Sequence, residues 1–268
     1  MNDGSTDLRL NVIERAPEGD VPAGPPVVLI HGLFGRARNL GFIQRQLSAR
    51  WRTLAIDLRS HGDSPHGMLD YHALAGDIVE TLAAHDALPA MIMGHSMGGK
   101  AAMMTALLHP AQVERLVVAD IPPARTGHGN SDVAQAMLDL EFPRPLDRKS
   151  AEAALAAVIE DGGTRALMVQ NIRLGDDPGW TIGLREIVAS MSNIESWPYI
   201  PDGYAYTGPT LFLRGANSPY LRAEHLPEIR RLFPRFELET IPDAGHWLHV
   251  EQPERFVALL EAFLERSF

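Results

Sequence analysis

Residues 90–108 read AMIMGHSMGGKAAMMTALL, and the turn at their centre, Gly94-His95-Ser96-Met97-Gly98, decides how the remainder is read. AMIMGH is a short apolar run of strand length. GGKAAMMTALLH reads as helix up to Pro110. Between them stands G-x-S-x-G. Its glycines let the backbone turn tightly and let the neighbouring elements approach. The serine is then held at a helix N-terminus, where free backbone N–H groups and the helix dipole favour developing negative charge. The pattern carries this meaning only between a strand and a helix, which is its setting here.

On both sides the chain alternates short apolar strands with helices. LRLNVIER (8–15) alternates apolar and polar residues as a half-buried strand does, and the Pro/Gly turn APEGDVPAGPP (16–26) follows it. VVLI (27–30), TLAID (53–57) and VERLVVAD (113–120) are apolar runs suited to strands buried on both faces. A short helix is expected around 39–48, and Leu74, Ile78 and Leu82 at spacing four predict another over 70–86. This alternation predicts an α/β fold with a mostly parallel sheet flanked by helices. From 121 to 208 no strand signal appears, but VAQAMLDL, AEAALAAVIEDGG, TRALMVQNI and TIGLREIVASMSNI read as helices. TLFLRG, a helix over 220–233, FELETI and a helix over 253–266 then resume the alternation. The expected organisation is a core of 1–120 and 209–268 with a helical cap, 121–208, inserted over the open end of the sheet.

Composition narrows the function. Acidic residues outnumber basic ones 34 to 24 in 268 residues, a formal charge of −10. That argues against nucleic acid as the main partner, since phosphate neutralisation needs an excess of Lys and Arg. There is no cysteine, so no disulfide, thiolate nucleophile or cysteine metal site. MNDGSTD has neither the basic nor the apolar region of a secretory leader. No apolar stretch approaches the roughly 20 residues that span a bilayer. A cytoplasmic monomer or homodimer is expected. The scattered histidines lack ligand-like spacing, so neither a metal nor another cofactor is expected.

Five segments carry a resemblance: HGLFG (31–35), DLRSHGDS (57–64), GHSMGGKAAM (94–103), VVADIPPAR (117–125) and PDAGHWLHVEQPE (242–254). Over nearly its whole length the chain resembles the α/β-hydrolase superfamily. GHSMGGK followed by ADIPPAR is similar to the YbfF-like esterases in particular. The resemblance implies that Ser96 is the nucleophile and that the backbone N–H groups of Leu33 and Met97 form an oxyanion hole. Losing one such donor typically costs about 3 kcal/mol of transition-state stabilisation. His31 is read as a brace for its loop. His246, after the last strand and next to Gly245, matches the family's general base, with His249 as the competing candidate.

The acid is less direct. In most α/β-hydrolases it stands about three residues past a glycine that ends the strand after the cap. That glycine is Gly215, and the third residue on is Ser218. Four carboxylates compete. Glu224 would lie inside the next helix, Asp243 reads as a turn cap, and Asp57 heads a loop beyond the nucleophile's strand. Asp120 ends VVAD, next to the strand leading to Ser218. Parallel strands lie about 4.8 Å apart, so a carboxylate one strand over still reaches the histidine. The YbfF-like resemblance implies the same position. Ser218 would then donate a hydrogen bond to a buried carboxylate, giving a network Ser96–His246–Asp120–Ser218.

The implied reaction is acyl transfer to water through an acyl-serine. Carboxylic esters or thioesters of short to medium acyl chains are the expected small-molecule substrates, with thioesterase, lactonase and perhydrolase chemistry on the same groups still open. A second reading is a non-catalytic protein binding a ligand under its cap, against which the intact Ser96, His246 and oxyanion glycines argue. Phe34, Arg36, Lys100, Arg125 and Trp247 are the expected substrate contacts, the cations as partners for an anionic leaving group.

Overall fold

The structure, a computed structural model, describes residues 8–17, 24–127 and 129–267. Residues 1–7, which bear on the expectation of no secretory leader, and part of the Pro/Gly turn at 16–26 lie outside the described residues. The apolar runs form the sheet. β2 (Val27–Ile30), β3 (Thr53–Ile56) and β4 (Ala90–His95) are buried at every position. This is what helices on both faces impose on parallel strands. β1 (Val12–Arg15) is shorter than the alternation suggests, and Leu8–Asn11 precede it without strand pairing. β5 (Val113–Ala119) follows, and later β8 (Thr210–Gly215) and β9 (Phe236–Ile241).

The order across the seven-stranded sheet is β1-β3-β2-β4-β5-β8-β9. Only β1 runs antiparallel, against β3. Pairings Ile30↔Gly94, His95↔Ala119, Ala119↔Leu213 and Gly215↔Ile241 bring the carboxyl ends of five strands level. The loops holding Leu33, Ser96, Asp120, Ser218 and His246 therefore leave one edge of the sheet, where α/β proteins place their chemistry.

α1 (Gly41–Leu47), preceded by a 3₁₀ turn at Ala37–Leu40, and α10 (Pro253–Leu264) contribute to the core cluster that includes Leu29, Met93 and Leu213. α2 (Tyr71–Ala84) and α3 (Met97–Leu108) join the larger cluster with Ile30, Ile92 and Val118. Asp70 caps α2 by accepting the His72 and Ala73 N–H groups, each at 2.9 Å, which sets its start.

Between β5 and β8 lie α4 (Asn130–Leu138), α5 (Arg148–Leu155), α6 (Gly162–Val169) and α7 (Leu184–Glu195). The absence of strand expected there is corrected by a ribbon, β6 (Ile172–Arg173) against β7 (Gly179–Trp180). Two residues per strand are too few to display a period of two. Ala134, Met137, Leu155 and Ile187 share the cluster of Leu58, Met97 and Ile121, so these helices bury their apolar faces against the core. α8 (Leu226–Leu232) starts after a 3₁₀ turn at Ala223–His225, and a short α9 (Leu248–Glu251) follows the His246 loop. Among the described residues no helix is long and apolar enough to cross a membrane.

Candidate active site

Ser96 has φ 53° and ψ −120°, a conformation L-residues rarely adopt. Its N–H donates to Ala119 O at 3.0 Å, extending the β4–β5 ladder by one residue before the chain turns into α3. The turn closes because two glycines give up their side chains. A Cβ on Gly98 would collide with the carbonyl oxygen of His31, and one on Gly94 with that of Gly98. A serine at an N-cap normally accepts from the first turn of its helix. Ser96 makes no such bond. Its hydroxyl lies 3.0 Å from His246 Nε2 instead.

His246 Nδ1 is 2.7 Å from Asp120 Oδ2. A carboxylate only accepts, so Nδ1 carries the proton and Nε2 is left to accept from the Ser96 hydroxyl. Asp120 follows β5 with φ 53°, and its N–H donates to Leu213 O at 2.8 Å. Its carboxylate is fully buried. Three donors meet it: His246 Nδ1–H, the Gly215 N–H at 3.1 Å on Oδ1, and the Ser218 hydroxyl on Oδ2. Ser218 accepts in turn from the Tyr220 N–H at 3.2 Å, which orients its own proton toward Asp120. Ser96, His246, Asp120 and Ser218 are thus brought into one continuous hydrogen-bonded chain. His249 is turned away, buried beneath His95 and Phe256.

The HGLFG loop is braced by two imidazoles. His31 Nδ1–H donates to Gly32 O at 2.7 Å and Nε2 accepts from the Leu58 N–H at 3.0 Å. His61 Nδ1–H donates to Arg59 O at 3.0 Å and Nε2 accepts from the Phe34 N–H at 3.1 Å. Phe34 can then adopt φ 59°, with its carbonyl taking the Asn171 amide at 2.7 Å. Asp57 joins the loops by accepting from Ala37 N–H at 2.5 Å, Asn11 Nδ2 at 2.8 Å and Asp63 N–H at 2.9 Å. The Leu33 and Met97 N–H groups have no protein acceptor among the described residues.

Burial holds His31 and His95 below the usual imidazole range and pushes His61 and His249 down to about 3. An unfolded chain takes up protons on these rings near pH 6.5, the folded chain only well below it. The unfolded state therefore binds more protons in this window, and stability falls as pH drops from about 6.5 toward 3. Thermal melts between pH 7 and 4 should show a Tm that declines with acidity, and a flat Tm would contradict this placement.

Two cavities meet at Ser96. A cleft of about 540 Å³ is lined by Phe34, His95, His246, Trp247, Val158 and Met168, among others. A bay of about 30 Å³ is lined by Met97, Tyr71, Lys100, Ile121, Met191 and Ile194, among others. Of the expected substrate contacts, Phe34 and Trp247 line the cleft. Arg36 instead bridges Gln170 O and Asp63, and Arg125 lines a separate hollow with Tyr199 and Arg231. Lys100 is buried, donates to Glu195 O at 3.2 Å and Ser196 O at 2.8 Å, and burial pushes its ammonium down to about 7. Tyr220 had no place in the expected set. Its ring stacks on His246 with centroids 3.9 Å apart and planes 18° from parallel, and it lines both cavities. Its position two residues past Ser218 is the only signal the sequence held.

Fold and site together define an α/β-hydrolase. Residues 27–259 match the model of the alpha/beta hydrolase family, and the chain belongs to that family. The sn-1-specific diacylglycerol lipase ABHD11 of Mus musculus is 38% identical over 90% of this chain and 81% of its own length. Esterase YbfF of Escherichia coli (strain K12) is 31% identical over 89% of this chain and 92% of its own. A solved marine microorganism esterase superposes with a TM-score of 0.89 at 32% identity, covering 96% of this chain and 99% of that one. The chain stands with the YbfF-like esterases and is a carboxylesterase-type ester hydrolase.

Proposed function

We propose that the chain hydrolyses small carboxylic esters or thioesters of short to medium acyl chains through an acyl-serine on Ser96. The observation that carries the reading is the unbroken line from Ser96 Oγ to His246 at 3.0 Å and from His246 to buried Asp120 at 2.7 Å. Ser96 Oγ bonds the acyl carbon while its proton passes to His246 Nε2. The carbonyl oxygen takes the charge and is received by the Leu33 and Met97 N–H groups. The carbon–oxygen bond to the alcohol then breaks, and Nε2–H protonates the departing oxygen. Water repeats the sequence against the acyl carbon and restores Ser96. Asp120 holds the tautomer and faces the imidazolium, Ser218 and Gly215 hold Asp120, and Tyr220 fixes the plane of the ring. Residues 121–208 serve as a cap, since α4, α6 and the segment 158–161 before α6 supply walls of the cleft above Ser96.

The test is release of p-nitrophenol from p-nitrophenyl acetate. Wild-type protein should turn it over, and Ser96→Ala should lose at least 10⁴-fold in kcat. Equal turnover by Ser96→Ala would refute the nucleophile.

A further inference from the structure

Resting on the reading of Ser96, we propose that Asn171 is a positioning residue of the oxyanion hole, steering the Leu33 N–H from the cap through two hydrogen-bonded peptide groups. Asn171 stands between α6 and β6, and its Nδ2 donates to Phe34 O at 2.7 Å. That carbonyl shares a peptide group with the Gly35 N–H, which donates to Gly32 O at 2.9 Å. The Gly32 carbonyl in turn shares a peptide group with the Leu33 N–H, the donor that receives the oxyanion. Two planar groups therefore link the Asn171 amide to that donor. Hydrogen bonds in such a series polarise one another, so donation into Phe34 O strengthens the Leu33 N–H as a donor. A Cβ on Gly35 would stand 2.9 Å from Gly32 O, so the inner link closes this tightly only on glycine.

The outer link also fixes direction. Phe34 has φ 59°, a conformation that a bulky residue keeps only when its surroundings over-determine it. His61 Nε2 accepts its N–H on one side, and Asn171 donates to its carbonyl on the other. Asn171 is held in its own right. It is 1% exposed, its N–H donates to Met168 O at 2.9 Å, and its carbonyl accepts from the Thr181 N–H at 2.8 Å. Its Oδ1 is buried with no hydrogen-bond partner among the described residues, so the bond at Nδ2 is what offsets the burial of the amide. Beside it, Arg36 Nη1 donates to Gln170 O at 3.2 Å and Asn39 Nδ2 to Gln170 Oε1 at 2.9 Å, which lays this segment along the oxyanion loop. Without the Asn171 amide, Phe34 O loses that donor and the Phe34–Gly35 peptide can turn, taking the Leu33 N–H off the line to the oxyanion.

The test is kinetic, with p-nitrophenyl acetate and the whole chain. Asn171→Ala should lower kcat by about tenfold to a hundredfold, less than the roughly 10²–10³ of a lost direct donor, with KM within threefold. Phenethyl trifluoromethyl ketone gives a readout that a merely structural role would not move. Ser96 Oγ bonds its carbonyl carbon, the serine proton passes to His246, and the carbonyl oxygen becomes an oxyanion on the same donors. Its inhibition constant should rise by the factor by which kcat/KM falls. Asn171→Leu, which keeps the volume without the donor, should match Asn171→Ala and replaces it should that variant not fold. Gln170→Ala, which removes only the bond to Asn39, should stay within threefold of wild type. A folded Asn171 variant within threefold of wild type in kcat, a loss confined to KM with ketone inhibition unchanged, or an equal loss in Gln170→Ala overturns the inference while leaving the serine reading intact. Absence of any Ser96-dependent turnover overturns both.

Discussion

Asp120→Asn is expected to lower kcat on p-nitrophenyl acetate by about 10³–10⁴ with little change in KM. The substitution keeps the volume and the buried position but replaces a pure acceptor with a group that both donates and accepts. An amide donating toward His246 Nδ1 would favour the tautomer with the proton on Nε2, which can no longer take the proton of Ser96. A wrong tautomer in this role costs several orders of magnitude. Ser218→Ala should be far milder, roughly tenfold or less, because Gly215 N–H and His246 still meet the carboxylate. Rates for both variants from initial velocities settle the matter. Asp120→Asn near the wild-type rate would remove Asp120 from the proton path.

Gly98→Ala is expected to lose more stability than any other single substitution named here. The added Cβ would sit on the carbonyl oxygens of His31 and Ile30, both backbone atoms at the end of β2. Relief requires α3 to move off the sheet, and α3 is buried over almost its whole length. Clashes of that kind fall in the tail above about 4 kcal/mol. At about 2–4 °C per kcal/mol for a chain of this size, Tm should drop by about 10 °C or more. A Tm within about 3 °C of wild type would show that the elbow is looser than the contacts at Gly98 imply. The same movement would displace the Met97 N–H, so whatever folded variant remains should be slow.

The fold was legible because its signals are local. β4 and α3 meet at G-x-S-x-G with the bounds that apolar runs and Pro110 suggest, and β2, β3 and the second half of β5, Leu116–Ala119, read as buried strands. The placement of Ser96, Asp120, Ser218 and His246 near one another was legible for a different reason. Each ends a strand or follows one closely, and the parallel order sets them along one edge. What was not legible depends on packing across distance. Lys100 reads as a loop-side cation from its place after two glycines, yet α7 closes over it and takes its donors. Arg125 lies close to Asp120 in sequence, but the chain carries it to another face. Tyr220 stacks on His246 from 26 positions away, an interaction no period or motif encodes. The β6–β7 ribbon is too short to have a pattern.

The central claim is that Ser96 is the nucleophile. Its most direct test is inactivation with a fluorophosphonate followed by peptide mapping of the labelled chain. One phosphonyl group should appear per chain, on the peptide containing Ser96, with activity falling in proportion to labelling. Stoichiometric labelling at another residue, or full activity in protein labelled at Ser96, would contradict it.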